Sequence, residues 1–347
     1  VRRDLPWRAQ ELDAPHPDPY AVLVSELMLQ QTQVATVIPY FTRWMDQFPD
    51  AQALAEADED AIHKAWEGLG YYRRARFLKA AAASVAAEGW PGDLEGLAGL
   101  PGLGPYTAAA VGSIAFQWPV PALDGNAFRV LARLLLIEGD PKAQAADLRA
   151  WLAPALATHG PSRMTQALME LGAMVCGPTP HCAACPLSGR CRAHLEQRTA
   201  DIPPVAKRAV PKASALWLVA VEAQGRLLLH PPIAKGLLAG LWRWPALNVT
   251  EFPPQAADQN PASLRAWPGW TQVYTHRREA VNPLHLCLDT DFEAAEGLRW
   301  VPMSELHALP LGKRDQRLRD LLATPGQAPL EAPEAAALIR ACAAPSA

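Results

Sequence analysis

Apolar residues recur at helical spacing through the first 199 positions, and clear alternating strand patterns are absent there. Asp18-Pro19 opens a run from Tyr20 to Gln33 in which Val22, Val24, Leu27 and Met28 are among the apolar positions. A capping residue followed by proline starts a helix well, because the missing amide would have been an orphan donor anyway. The pattern predicts further helices at about 58–68, 72–88, 105–117, 126–137, 144–157 and 161–175, in a stretch dense in alanine. At Ala200 the pattern changes. Asp201 to Lys212 (DIPPVAKRAVPK) holds three prolines and no periodicity, which suits a linker. Beyond it, Ala215–Glu222 and Arg226–His230 are short apolar runs separated by a glycine-containing turn, which predicts a hairpin. Leu241–Pro245 and Leu284–Leu288 read as further strands and Lys313–Leu322 as a closing helix. The fold class that follows is a mostly α domain over 1–199, a linker over 200–213 and a smaller α+β domain over 214–325. An Ala- and Pro-rich tail, 326–347, is expected to be disordered.

Length and composition agree with this division. The chain has 347 residues, 50% of them hydrophobic, enough for two domains that each bury a core. No apolar stretch approaches the roughly 20 residues that span a bilayer, and no charged-then-apolar leader is visible. A soluble, monomeric, cytoplasmic protein is the expectation, one that in a bacterium would work in the nucleoid. The first residue is Val1, not Met, so residues before it are expected to have been trimmed. A formal net charge of −3 speaks mildly against nucleic acid as a partner. Local clusters can still attract phosphate, and Arg73, Arg74, Arg76 and Lys79 form one, although a charge run of this kind usually marks a solvated helix face.

Three local patterns carry chemistry. Leu100-Pro101-Gly102-Leu103-Gly104-Pro105-Tyr106-Thr107 leads into an alanine-rich helix. Gly102 and Gly104 allow a tight turn that presents backbone amides at a helix start, which suits a phosphate oxygen. The second pattern is a pair of carboxylates. Glu26 lies among apolar residues, where its pKa should rise and keep it protonated as a general acid. Asp124, in Leu123-Asp124-Gly125-Asn126, stands where a helix N-cap belongs. Taken singly, the first could be a salt-bridged core residue and the second only a cap. Together they suit cleavage of a glycosidic bond, one acid protonating the leaving group and one carboxylate facing the cationic sugar. The third pattern is Cys176, Cys182, Cys185 and Cys191, spaced Cys-x5-Cys-x2-Cys-x5-Cys, whereas Cys287 and Cys342 stand alone. Four thiols packed this closely read as metal ligands, and the spacing leaves zinc and an iron–sulfur cluster both open.

Ser25-Glu26-Leu27-Met28-Leu29-Gln30-Gln31-Thr32, Gly68-Leu69-Gly70-Tyr71-Tyr72, the glycine hairpin, Leu123–Asn126 and the four cysteines occur in one order. In that order they resemble the adenine DNA glycosylase (MutY) family of the helix-hairpin-helix, or endonuclease III, superfamily. The resemblance runs from Arg3 to about Leu322. It implies base-excision repair of double-stranded DNA in which adenine faces 8-oxoguanine or guanine, with a [4Fe–4S] cluster on the four cysteines. It makes Glu26 the general acid toward adenine N7 and Asp124 the carboxylate that stabilises the sugar cation, with Tyr106 and Asn126 supporting them. Arg3, Trp7, Arg8 and Gln166 match positions around the flipped adenine. Gln31 and Tyr71 match side chains inserted into the base stack, and Leu29, Thr32, Gly102 and Gly104 complete the implied DNA contacts. Tyr106 occupies the position that resembles a Schiff-base lysine in the bifunctional branch, and tyrosine cannot form that adduct.

The second domain resembles the family's Nudix-like module, which reads 8-oxoguanine, and Leu238–Pro245 (LAGLWRWP) carries that likeness. Residues 246–270 hold Glu251 alone and no Arg-Glu-x-x-Glu-Glu pattern, so binding without hydrolysis is expected. Two placements of the lesion-reading loop stay open. Tyr274-Thr275-His276 makes Thr275 and His276 the contacts, while a gapless placement puts Val281-Asn282-Pro283 there. The first cysteine gap is one residue shorter than the family's, and the loop from Gly177 to His181 lacks the basic residue expected at phosphate. The competing readings are an endonuclease III-like enzyme acting on pyrimidine lesions and a non-catalytic iron–sulfur DNA-binding protein. Tyr106 opposes the first, and the presence of both carboxylates opposes the second.

Overall fold

A computed structural model describes residues 3–8, 17–204, 211–234, 238–248, 263–274, 277–291 and 293–323. The expected tail, Thr275, His276, Glu251 and the middle of the expected linker lie outside these described residues. The described residues up to 204 form helices and no strand: α1 Pro19–Leu29, α2 Val34–Gln47, α3 Ala51–Glu56, α4 Glu59–Ala65, α5 Arg73–Glu88, α6 Leu94–Gly99, α7 Pro105–Ile114, α8 Gly125–Leu135, α9 Ala145–His159, α10 Pro161–Glu170 and α11 Arg192–Leu195. The chain forms two compact units. One comprises 1–57 and 73–207, and the other comprises 58–72 and 208–347. The second unit is therefore discontinuous, with α4 and the glycine-tyrosine segment after it belonging to it.

In the first unit, α1 and α7 pack on each other at the centre. Nearly every residue of both is buried, Val22–Met28 in one and Thr107–Ile114 in the other, as expected of helices that are apolar all round. Asp18 caps α1 by accepting from the amides of Tyr20 and Ala21, with Pro19 just inside. The helix ends at Leu29, four residues short of the expected Gln33, because Gln31 is left-handed with φ 57°. Its terminal carbonyls are satisfied by Arg74, whose guanidinium donates to Leu27 O at 2.7 Å, Met28 O at 3.0 Å and Gln30 O at 2.5 Å. The basic cluster is thus neither a solvated face nor a phosphate patch throughout: Arg74 is buried, and Lys79 donates to Ala57 O at 2.8 Å.

The second unit holds a mixed sheet: β1 Lys212–Ala223, β2 Arg226–Leu229, β3 Ala246–Asn248, β4 Ser263–Ala266, β5 Trp270–Val273, β6 Arg277–Leu288 and β7 Arg299–Pro302, with α12 Lys313–Leu322. The order is β4-β6-β1-β2-β7, with β3 added to β1 and β5 to β6. β1 and β6 run parallel over twelve paired positions, from Lys212↔Arg277 to Ala223↔Leu288. Gln224 and Gly225, both at positive φ, make the two-residue turn of the expected hairpin, the conformation that matches strand twist. Alternate residues of β1 enter two cores, Leu218 and Ala220 on one face, Val219 and Val221 on the other. The expected strand Leu241–Pro245 makes only bridges at Trp242 and Arg243. Trp244 is instead held by the fully buried Asp315, which accepts from its backbone amide at 2.9 Å and, through its carbonyl, from the indole at 2.9 Å.

Candidate active site

Glu26 sits in the middle of α1 and is 7% exposed. Burial pushes its carboxyl up to about 7, with the charge of Asp124 adding to the effect. A hydrogen bond from the Tyr106 hydroxyl to Glu26 Oε2, 2.9 Å, and the charge of Arg8 act in the opposite direction. Tyr106 follows Pro105 at the start of α7, so the glycine turn determines where its hydroxyl lies. Burial, then the neighbouring carboxylates Glu26 and Asp124, raise that hydroxyl well above its ordinary range, so it remains a proton donor. In the turn, Gly102 has φ +78°, and a Cβ there would lie 2.4 Å from Phe77 Cβ. Gly104 is the N-cap of α7, is exposed, and has open space where its Cβ would be. The turn into α7 is therefore exposed at Gly104 and Pro105, while Pro105 carries no amide and Thr107 is buried.

Asp124 caps α8: Oδ1 accepts from Ala127 N at 2.7 Å and Oδ2 from Asn126 Nδ2 at 2.8 Å. Capping and chemistry do not exclude each other here, because Asp124 also lines the cleft that Glu26 lines. The cleft encloses about 830 Å³, inside the roughly 300–1,000 Å³ of small-ligand sites. Its wall includes Tyr106 and Asn126, the adenine-pocket candidates Arg3, Trp7, Arg8 and Gln166, and Leu29, Gln31, Thr32, Gly102 and Gly104. Gln166 donates to Ser162 Oγ at 2.9 Å, and Trp7 meets Phe41 edge to face at 5.3 Å. Tyr71 belongs to the second unit, where it is 47% exposed at φ 48°. Left-handed backbone in a non-glycine residue is uncommon and concentrates at working sites, and both expected wedges, Gln31 and Tyr71, show it.

Three contributors were not foreseen from sequence. Glu170 ties Arg3 and Arg8 into the cleft wall, its Oε1 lying 2.6 Å from Arg3 Nη2 and 2.8 Å from Arg8 Nη2. Burial alone would raise Glu170, but the Arg3 hydrogen bonds and the Arg8 charge hold it below its ordinary range. Arg129 links the cleft to the cysteine loop, donating to Asn126 Oδ1 at 2.8 Å, to Gly172 O at 2.8 Å and to Cys176 O at 2.7 Å. Gly172 lies in a widened turn, Leu171–Val175, that continues α10. A Cβ on it would lie 2.7 Å from Asn126 Cβ.

Cys176, Cys182, Cys185 and Cys191 form no disulfides and line one small cavity. Short helical turns, Cys182–Ala184 and Ser188–Arg190, fold the loop so that all four face it. The buried guanidinium of Arg133 braces this loop, donating to Gly177 O at 2.6 Å, Pro178 O at 3.0 Å, Ile202 O at 2.8 Å and Cys176 Sγ at 3.4 Å. A soft, four-thiol donor set beside a fixed cation fits an anionic iron–sulfur cluster. In the second unit, Val281, Asn282 and Pro283 lie inside β6, with Val281 buried and Asn282 Nδ2 donating to Leu216 O at 3.2 Å. The alternative placement of the lesion-reading loop therefore falls in a paired central strand. β6 begins at Arg277, seven residues before the expected strand.

Residues 24–154 match the helix-hairpin-helix (HhH-GPD) superfamily of base excision DNA repair proteins, and residues 216–321 match the NUDIX domain. The fold and site thus define a two-domain protein of the DNA-glycosylase class. The chain is 34% identical to the adenine DNA glycosylase of Mus musculus over 88% of its own length and 72% of that protein's. It is 42% identical to that of Mycolicibacterium smegmatis, over 58% of this chain and 67% of the relative. Against the Arabidopsis thaliana enzyme it is 38% identical over 75% of this chain, and that match spans only 47% of the plant protein. The chain belongs to the adenine DNA glycosylase family.

Proposed function

We propose that this protein is a monofunctional DNA N-glycosylase that excises adenine paired with 8-oxoguanine, or with guanine, from duplex DNA. The observation that carries the reading is a protonatable Glu26 and the capped carboxylate Asp124 lining one cleft of nucleotide size. Chemistry on a stacked base requires the nucleotide to be extruded, and the cleft receives it. Glu26 transfers its proton to adenine N7 as the C1′–N9 bond breaks, the bonding pair leaving with the base. Asp124, its two oxygens each fixed by one hydrogen bond, faces the resulting sugar cation and stabilises or captures it. Glu26, now ionised, takes a proton from the water that completes the abasic sugar. Tyr106 holds Glu26 in place and offers no amine for a Schiff base, which favours simple hydrolysis over strand cleavage.

Gln31, Tyr71, Leu29 and Thr32 serve as the contacts that offset unstacking, and Gly102 and Gly104 present amides to phosphate. Cys176, Cys182, Cys185 and Cys191 would hold a [4Fe–4S] cluster, which when bound cross-links a loop that otherwise has little core. Thr275 and His276 read the oxidised guanine from the Nudix-like domain, which binds without hydrolysing. The test is incubation with an A:8-oxoguanine duplex followed by alkali. Alkali-dependent scission at adenine is expected, and Glu26→Gln should lower it by about 10²–10⁴-fold while leaving duplex affinity in place. Scission before alkali, or an unimpaired Glu26→Gln, overturns the mechanism.

A further inference from the structure

Cys287, isolated in sequence, is not isolated in the fold. β1 and β6 run parallel with Ala220 paired to His285 and Glu222 paired to Cys287, so Glu222, His285 and Cys287 share one face of the sheet. His285 Nε2 lies 2.8 Å from Glu222 Oε2 and 3.4 Å from Cys287 Sγ, and the sulfur lies 3.9 Å from that same oxygen. We propose that Glu222, His285 and Cys287 form a binding site for a borderline-soft divalent cation of the zinc class, on the Nudix-like domain and separate from the cysteine loop.

The geometry favours this over an ordinary polar cluster. All three ligand atoms fall within 4.8 Å of one another, one each of oxygen, nitrogen and sulfur. With zinc–ligand distances of about 2.0–2.3 Å, a tetrahedral face has edges of about 3.5 Å to sulfur and about 3.3 Å between nitrogen and oxygen. The observed triangle needs shifts of about half an ångström or less to match. His285 is buried and stacks on Trp267 at 6.4 Å, so its ring plane is held. The Glu222 side chain is 26% exposed, which leaves one side for the ion to arrive and for water to complete the shell. Cys287 carries no disulfide, and the small partner Ala220 leaves the imidazole room. Binding breaks the His285–Glu222 hydrogen bond, leaves the imidazole neutral with its proton on Nδ1 so that Nε2 is free to ligate, and releases the Cys287 thiol proton to solvent, so two anionic ligands balance the dication. Arg265, paired with His285 from β4, places positive charge beside the imidazole, which the two anionic ligands offset.

Cluster-loaded full-length protein is washed with chelator, equilibrated with zinc, dialysed and analysed for metal, then repeated with Co²⁺ for its visible ligand-field bands. One zinc per chain and a tetrahedral, thiolate-containing Co²⁺ spectrum are expected. Cys287→Ser and His285→Gln should each lower affinity at least about tenfold with iron content unchanged. Glu222→Gln keeps the shape of the side chain and should weaken binding also. No zinc in the wild-type protein, or equal zinc in wild type, Cys287→Ser and His285→Gln, overturns the site and leaves a hydrogen-bonded trio.

Discussion

A carboxylic acid donates a proton near neutrality only where its charged form is poorly solvated, and Glu26 meets that condition by burial. The Tyr106 hydrogen bond limits the effect, because a donor aimed at the carboxylate favours ionisation. Excision should therefore be fast below a pKa of about 7 and fall as pH rises through it, as the acid loses its proton. Tyr106→Phe removes this opposing hydrogen bond, so the alkaline limb of the single-turnover profile should move to higher pH. A limb that stays put or moves down would detach Tyr106 from the acid. Both carboxylates were legible in sequence, one from its apolar company and the other from its position before a helix. Glu170 was not, because its partners Arg3 and Arg8 lie 167 and 162 positions away. Its only local signal is a lone acid in the apolar stretch Met169–Leu171, which says that a partner exists but not which.

Among the elements, the widened turn after α10 has the largest consequence for the site. Wide turns of this kind are rare in helices and recur at functional sites. Here the turn brings Gly172 against Asn126, and Arg129 spans from that contact to Cys176. Gly172→Ala would push its Cβ into Asn126 and displace the side chain that fixes Asp124 Oδ2. A displacement of several tenths of an ångström at a reacting carboxylate should lower single-turnover excision by about tenfold or more. Full activity with an unchanged melting temperature would show that the contact gives way harmlessly. Periodicity cannot reveal such a turn, since one extra residue looks the same as a continued helix; the pattern over 161–175 predicts one unbroken helix. α2 escaped for a different reason: Pro39 lies inside it, and proline argues against a helix interior. α12 and the β1–β2 hairpin are plain in sequence because each has its own terminal signals, whereas the first half of β6 is mostly polar and gives no strand pattern of its own.

At the scale of the molecule, sequence order and structural units part company over one short segment. Sequence placed everything before Ala200 in one domain, yet residues 58–72 form part of the second unit. The reasons are specific contacts over more than 200 positions: Tyr72 Oη donates to Leu311 O at 3.2 Å, Leu311 N donates to Glu67 Oε1 at 3.1 Å, and Arg319 lies 3.6 Å from the same oxygen. Gly240, at φ +81°, lets the chain pass so close to His63 that a Cβ would lie 2.4 Å from its Cε1. No local pattern could announce this, because α4 is an ordinary capped helix in its own sequence. A chain ended after Lys207 keeps both carboxylates and all four cysteines but strips 58–72 of these partners. Losing two hydrogen bonds and an ion pair at about 1 kcal/mol each should speed cleavage within 58–72 by about tenfold or more under limited proteolysis. Tyr71 lies in that segment, so, if it contacts DNA as proposed, the truncated protein should lose duplex affinity beyond what loss of the NUDIX domain explains. Equal protection of 58–72 in the truncated and full chains would mean that the segment is held without Leu311 and Arg319.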